Sequence, residues 1–152
     1  MRDFFLRRAS DTDLEGVKAL LVASKLPVEG VDESFANFVV AEGRPSIVGA
    51  VGMEIYGHYS LLRSAVVAPG WQGYGVGRAL VGEIVSRARI RNLTAIYLLT
   101  TTAENYFPSF GFERIERNEI PSELCESAEL KGACPLTATA MRLDLRPNGR
   151  HV

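Results

Sequence analysis

Residues 66–80 read VVAPGWQGYGVGRAL: the end of an apolar strand, a glycine-rich loop and the start of a helix. Glycines at positions 70, 73, 75 and 77 let the backbone turn tightly and approach a ligand closely. The unpaired N–H groups and the dipole at the start of a helix favour a bound phosphate, to which Arg78 can add a charge-assisted bond. The stretch therefore predicts a site for a pyrophosphate-sized anion at the carboxyl end of a strand.

The residues around Gly77 argue against two common classes of phosphate-binding loop. A P-loop ends in Gly-Lys-Ser/Thr, whereas Gly77 is followed by Arg78 and Ala79. A dinucleotide-binding loop has a further glycine three positions on, where this chain has Leu80. A glycine-rich turn without a ligand is the remaining alternative to an anion site.

The segments on either side of the loop predict a mixed α/β domain. Apolar runs and apolar residues at helical spacing predict strands and helices, respectively. The predicted strands are Phe4–Arg7, Phe38–Ala41, Ile47–Tyr56, Leu61–Val67, Ala95–Leu99, Phe112–Glu116 and Ala138–Leu145. The predicted helices are one that ends near Ala23, short ones at Glu29–Ala36 and Glu104–Phe110, and a long one at Val76–Arg91.

The length and composition fit a single globular domain. The 152 residues include 17 Lys and Arg against 18 Asp and Glu, so the formal net charge is −1. A charge this close to zero creates no overall attraction to nucleic acid or to a membrane surface. Cys125 and Cys134 are too few for a disulfide scaffold or a zinc site, and no apolar run is long enough to span a bilayer. We expect a metal-free, cytoplasmic domain over residues 1–145 and a flexible tail at residues 146–152.

The spacing Gln72-x-x-Gly75-x-Gly77 resembles the acetyl-coenzyme-A signature of the GNAT superfamily of N-acetyltransferases. A second stretch, YFPSFGF at residues 106–112, is similar to the aromatic pair that precedes Gly-Phe in that family. The resemblance covers about residues 4–145. At a finer level, Leu62-Arg63-Ser64 together with YLLTTTAE at residues 97–104 looks like the arsenic-resistance N-acetyltransferase-like subgroup. The chain is also similar to the acetyltransferase module of N-acetylglutamate synthases.

The resemblance implies an α/β (α+β) GNAT fold. Such a fold is a mixed, mostly antiparallel sheet of six to seven strands, splayed between strands 4 and 5 and flanked by about four helices. Acetyl-CoA would be the acyl donor, with its pantetheine arm in the gap. The acceptor amine would attack the thioester directly while the Val66 N–H polarises the carbonyl. The matching positions for donor binding are Val66, Val67, Gln72, Gly73, Tyr74, Gly75, Val76, Gly77, Arg78 and Asn105.

The positions of the catalytic acid and base depart from the family pattern. Many relatives carry a tyrosine acid where this chain has Phe107, and a glutamate base where it has Leu61. Tyr106 is either the acid or a packing residue whose hydroxyl is exposed to solvent. Glu54 lies in an otherwise apolar strand and is either the base or a solvent-facing side chain.

Arg63 is unusual in a central strand, where guanidinium groups are rare without a partner. It either binds a substrate carboxylate or forms an internal ion pair, for example with Glu54, and both roles are compatible. The subgroup resemblance favours a small acceptor amine that bears a carboxylate, such as an amino acid or a toxic analogue.

Four further possibilities stay open at this point. The acceptor could be a protein amine, or the chain could be a CoA-binding sensor without turnover. Folds of this kind also frequently pair as homodimers. Cys125 and Cys134 could together bind trivalent arsenic, although idle thiols are commoner.

Overall fold

The computed structural model describes residues 3–44, 46–101, 103–133 and 137–145. These residues contain seven strands: β1 (Phe5–Arg8), β2 (Phe38–Glu42), β3 (Ile47–Tyr56), β4 (Tyr59–Val67), β5 (Ala95–Thr100), β6 (Glu113–Ile115) and β7 (Thr139–Asp144). The α-helices among them are α1 (Leu14–Ala23), α2 (Val31–Ser34) and α3 (Val76–Ile90). Short 3-10 helices accompany them, including one at Phe107–Phe110. The predicted mixed α/β architecture is confirmed.

The strands form one sheet in the order β1-β2-β3-β4-β5-β7-β6. All neighbouring strands are antiparallel except β4 and β5, which run parallel. That pair is joined only between Tyr59–Leu61 and Ala95–Tyr97, so the rest of β4 diverges from β5. The predicted opening between the fourth and fifth strands is therefore confirmed. Beyond Leu61, β4 faces this opening along one edge.

A β-bulge interrupts β4 just after it leaves β5. The pairing changes register between Ala50–Val66 and Gly52–Arg63, so two residues of β4 lie opposite one residue of β3. One of these two, Ser64, adopts a left-handed backbone conformation with φ of 61°. The bulge redirects the strand beside the opening.

Helices cover both faces of the sheet. On one face α3 packs its apolar side, including Leu80 and Ile84, against residues such as Met53. On the other face α1 and α2 bury Val17 and Val31 against the sheet. Each helix thus presents the apolar stripe that its sequence period predicts. No helix in the described part of the chain is long and apolar enough to cross a membrane.

The segment between β5 and β7 differs most from the sequence prediction. The helix predicted at Glu104–Phe110 is instead a turn at residues 104–106 and a 3-10 helix at Phe107–Phe110. Pro108 lacks the N–H that a longer helix would use, and Gly111 ends the helix with φ of 100°.

The sequence also did not predict the irregular structure that follows β6. Short 3-10 helices occupy Arg117–Glu119 and Ser122–Glu126, and an irregular helical turn follows at Glu129–Ala133. Cys125 is exposed. Cys134 and the tail predicted at residues 146–152 lie outside the described residues.

Candidate functional site

Two cavities open along β4, on the side where it leaves β5. The first, here called the loop cavity, measures about 450 Å³ and lies between β4, the glycine-rich loop and the start of α3. The second, called the gap cavity, measures about 620 Å³ and lies between the diverging parts of β4 and β5. Residues 24–27, which follow α1, complete its wall together with Glu29 and Glu129.

The glycine-rich loop adopts the geometry of an anion site. Gly73 and Gly75 have φ values of 87° and 85°, a left-handed conformation that side chains other than glycine rarely adopt. Gly75 directly precedes α3, so the unpaired N–H groups of this 15-residue helix face the loop cavity. Arg78 stands on the first turn with its guanidinium 5.2 Å from the centre of the Phe110 ring. The arrangement concentrates positive charge at one end of the loop cavity.

Most of the predicted donor-binding residues line the loop cavity, and two do not. Tyr74 is 51% exposed and lies outside the cavity wall, and Asn105 lies on the exposed turn at residues 104–106. The residues that do line the cavity are Val66, Val67, Gln72, Gly73, Gly75, Val76, Gly77 and Arg78.

The backbone of β4 presents Val67, rather than Val66, to the opening. The N–H of Ala68 donates to the carbonyl of Val48 in β3, and backbone directions alternate along a strand. The groups of Val66 therefore point towards β3, whereas those of Val67 point away from it. In agreement, the Val67 carbonyl accepts a hydrogen bond from the Gln72 side-chain amide at 3.4 Å. The amide predicted to polarise a substrate carbonyl, that of Val66, is turned away from the cavities.

Tyr106 and Phe107 have different surroundings although they are neighbours in sequence. The Tyr106 hydroxyl lies at the start of α3, where a Cβ added to Gly77 would be 3.0 Å from it. Burial raises the pKa of this hydroxyl, and the charge of Arg78 offsets part of that effect. Phe107 is buried and lines both cavities. A side chain that cannot donate a proton thus occupies the position where many relatives of the predicted family carry a tyrosine.

The two cavities share one wall. The residues common to both are Ala65, Val66, Val67, Gln72, Ala103 and Phe107. A molecule in the loop cavity and a molecule in the gap cavity would therefore meet at the bulged part of β4, without an intervening element.

Arg63 and Glu54 form the internal ion pair that the sequence offers as one alternative. Arg63 Nη1 donates to Glu54 Oε2 at 2.7 Å, and both side chains are almost fully buried. The other Arg63 nitrogens also have partners, since Nε donates to Ser64 Oγ at 3.0 Å and Nη2 to the Pro27 carbonyl at 3.3 Å.

The second oxygen of Glu54 is engaged as well. The Tyr56 hydroxyl donates to Glu54 Oε1 at 2.6 Å, and burial together with this bond raises the pKa of Tyr56 to about 12. Arg63 lines the gap cavity, whereas Glu54 lies on the other side of Arg63 and lines a separate depression with Tyr56.

Besides Glu29, which also lines the gap cavity, two charged residues of this cavity escaped the sequence analysis. Glu129 is buried, with 5% of its side chain exposed, and its Oε2 lies 3.7 Å from Arg63 Nε. Lys25 lies at the edge of the cavity, just after α1. Neither residue belongs to a motif, and the irregular turn that carries Glu129 has no periodicity from which its placement could be read.

A family model described as the acetyltransferase (GNAT) domain matches residues 34–114, which are just over half of the chain and include β2–β5, the glycine-rich loop and α3. The chain belongs to the GNAT acetyltransferase family. Members of this family use acetyl-CoA as the acetyl donor, and this chain is accordingly an acyltransferase whose donor substrate is acetyl-CoA.

Curated relatives agree with this membership, and a solved structure shares the fold. The chain is 27% identical to an amino-acid acetyltransferase of Mycobacterium tuberculosis, over 95% of this chain and 91% of the relative. It is 31% identical to the uncharacterized Bacillus subtilis protein YwlB, over 84% of this chain and 92% of that protein. The acetyltransferase fold of an N-acetylglutamate synthase from Neisseria gonorrhoeae, solved with coenzyme A and N-acetyl-glutamate, superposes with a TM-score of 0.81. That match has 18% identity and covers 95% of this chain but 36% of the synthase.

Proposed function

We propose that this GNAT protein transfers the acetyl group of acetyl-CoA to the primary amine of a small acceptor that bears a carboxylate, in a complex that holds both substrates at once. The observation that carries the proposal is the shared wall of the two cavities. Acetyl-CoA in the loop cavity and an amine in the gap cavity would meet at residues 65–67. Direct transfer between bound substrates needs this kind of proximity.

The loop cavity suits the donor along its whole length. Its charged end, formed by the start of α3 and Arg78, would hold the pyrophosphate, because helix N-termini and guanidinium groups both favour phosphate oxygens. The pantetheine arm would follow β4 and pair with the outward-facing backbone of Val67, replacing the Gln72 amide there. This mode resembles the addition of a strand to a sheet edge. In this proposal Tyr74 and Asn105 do not contact the donor.

The charges at the gap cavity suit a small acceptor with a carboxylate. Lys25 and Arg63 supply positive charge there, and Glu29 and Glu129 supply negative charge, so the lining can pair with both the carboxylate and the amine of such an acceptor. Arg63 acts through its charge, because its side chain has no exposed surface and its nitrogens are engaged by the protein. The similarity to the amino-acid acetyltransferase of Mycobacterium tuberculosis, which is 27% identical over 95% of this chain, supports the same acceptor class.

The reaction is a single displacement in this proposal. The nitrogen lone pair of the neutral amine attacks the thioester carbon, the N–C bond forms, the C–S bond breaks and coenzyme A leaves as a thiolate. The amine nitrogen loses one proton, and the thiolate gains one. Phe107 cannot supply the proton that the thiolate gains. This proton comes from solvent in the open cavity, or from the Tyr106 hydroxyl if substrate binding moves that hydroxyl inward. Glu54 serves as the partner of Arg63 rather than as a base, because both its oxygens are bound.

A thiol-release assay with acetyl-CoA and a panel of amines tests the proposal. Release confined to amino acids and related small amines supports it; release with peptides alone, or with no amine while coenzyme A still binds, overturns it. A matched pair of variants, Gly75→Glu and Gly82→Glu, tests the donor site. Glutamate at position 75 strains the left-handed loop and places a negative charge in the anion site, so coenzyme A binding is lost. The same charge at exposed position 82 on α3 leaves binding unchanged.

A further inference from the structure

Arg78 packs against an aromatic ring rather than against a carboxylate. Its guanidinium lies over the face of Phe110, with Cζ 5.2 Å from the ring centre. A guanidinium this close to a ring is attracted by the negative charge of the ring face. Among the residues that the structure describes, none forms an ion pair with Arg78. The positive charge is therefore available to an anionic ligand.

The ring beneath this guanidinium is itself fixed by other aromatic side chains. Phe110 is half-buried and packs against Tyr106, with 5.4 Å between the ring centres. Tyr106 contacts Phe107 at 5.3 Å, and Phe107 contacts the buried Phe112 at 5.7 Å. Each of these contacts is edge-to-face, an arrangement that aromatic rings favour. Phe110 is thus the outer member of a row of rings that is anchored in the core.

Phe110 lies outside the cavity that Arg78 and Tyr106 line. Both of these residues border the loop cavity, whereas Phe110 does not. Loss of its ring would therefore remove no direct contact with a ligand in the cavity. Arg78 is exposed to solvent, so without the ring its long side chain would be free to adopt many rotamers. Any effect of Phe110 on a ligand must then act through the side chains that it orders.

We infer that Phe110 is a positioning residue for the donor, because its ring holds the Arg78 guanidinium at the start of α3 in place for the phosphate oxygens of acetyl-CoA. This inference rests on the proposed function, which places the pyrophosphate at that end of the loop cavity. A side chain that is already ordered loses less conformational entropy when it binds. Phe110 thus raises the affinity for the donor and has no part in the transfer step.

The first test compares Phe110→Leu with Phe5→Leu. Phe5 is an exposed ring on β1 that lines neither the loop cavity nor the gap cavity. We expect Phe110→Leu to raise the KM for acetyl-CoA by about threefold or more, with kcat and the acceptor KM unchanged, because the ring face is lost. Phe110→Tyr keeps a ring face and restores the KM, and Phe5→Leu changes none of these constants. An unchanged KM for acetyl-CoA in Phe110→Leu overturns the inference.

A second donor separates the positioning of Arg78 from a general loss of packing. S-acetylpantetheine carries the same thioester as acetyl-CoA but has no phosphate group for Arg78 to bind. We therefore expect Phe110→Leu to lower kcat/KM with acetyl-CoA and to leave kcat/KM with S-acetylpantetheine unchanged. An equal loss with the two donors would show that the ring acts through packing alone, and would overturn the inference.

A double-mutant cycle tests whether the ring acts through the guanidinium. Arg78→Met removes the charge and keeps an unbranched side chain, and calorimetry measures coenzyme A binding without any need for turnover. We expect Phe110→Leu to weaken binding in the otherwise unaltered protein and to add nothing in the Arg78→Met background. Two additive losses overturn the inference. Unchanged binding of coenzyme A in Gly75→Glu is a different result, and it overturns the proposed donor site itself.

Discussion

The Tyr106 hydroxyl lies beside Gly77 at the start of α3, in the part of the loop cavity proposed for the pyrophosphate. We therefore expect Tyr106→Phe to weaken coenzyme A binding several-fold while kcat falls by less than about tenfold. Because burial raises the pKa of this hydroxyl, it stays protonated through the neutral range and adds no break to the pH–rate profile there. Calorimetric titration with coenzyme A and steady-state kinetics measure the two effects. A loss of kcat of about 10²-fold or more would instead identify Tyr106 as the catalytic acid.

At the scale of elements, one ion pair joins β1 to the start of α1. Arg7 donates to both oxygens of Asp13, at 2.8 and 3.0 Å, and Asp13 also accepts the Ser10 N–H at 2.8 Å. These bonds lower the pKa of Asp13 below its usual value of about 3.9, and the bond from Arg7 has the largest effect. A lowered carboxyl pKa stabilises the fold above the unfolded-state pKa, and that stabilisation is lost as pH falls through the folded-state pKa.

We expect Asp13→Asn to reduce the free energy of unfolding by about 1–3 kcal/mol at pH 7, because charged hydrogen bonds are lost. The difference from the unaltered protein should shrink below about pH 4, where Asp13 of the unfolded chain becomes protonated, and should be lost once the pH falls through the lower folded-state pKa. Urea unfolding across this pH range measures both quantities. A difference that does not change with pH would show that the charge of Asp13 contributes nothing.

The packing between β2 and β3 depends on a glycine. A Cβ added to Gly52 would overlap Cε1 of the buried Phe38 ring, so Gly52→Ala requires the ring or the strand to move. We expect a loss of about 1–3 kcal/mol in the free energy of unfolding, the usual cost of an overpacked core. Gly82→Ala is the control, since position 82 is open and lies within α3. Alanine there should stabilise the protein by up to about 1 kcal/mol. Equal effects of the two changes would contradict this packing.

The elements that repeat a local pattern were predictable from the sequence. The apolar period of α3, the seven strands and the glycine-rich loop are all short-range signals. The direction of the Val66 amide could not be predicted from the sequence, because it depends on the register of β4 against β3 and on the bulge at Ser64. The placement of Glu129 could not be predicted either, because an irregular turn brings this residue to β4, which lies more than sixty residues earlier in the chain. Local patterns thus predict the framework of the site, and long-range packing decides which side chains enter it.

For the molecule as a whole, the opening of the sheet explains why two substrates can be held together. The part of β4 that diverges from β5 borders both cavities, and the bulge lies at their common wall. Among the described residues that line the two cavities there is no cysteine, and Cys125 is exposed elsewhere. The common wall is the basis of the proposed transfer within a ternary complex.

This arrangement predicts the kinetic order of the reaction. With both substrates bound along β4 at once, double-reciprocal plots at several fixed acceptor concentrations should intersect, and no acetyl-enzyme should accumulate when acetyl-CoA is mixed with protein alone. Initial-rate measurements test the first expectation, and intact-protein mass spectrometry after rapid quenching tests the second. Parallel lines together with a covalently acetylated protein would indicate a two-step exchange. In that case the common wall at residues 65–67 would not be the place where amine and thioester meet, and the two cavities would have to act one after the other.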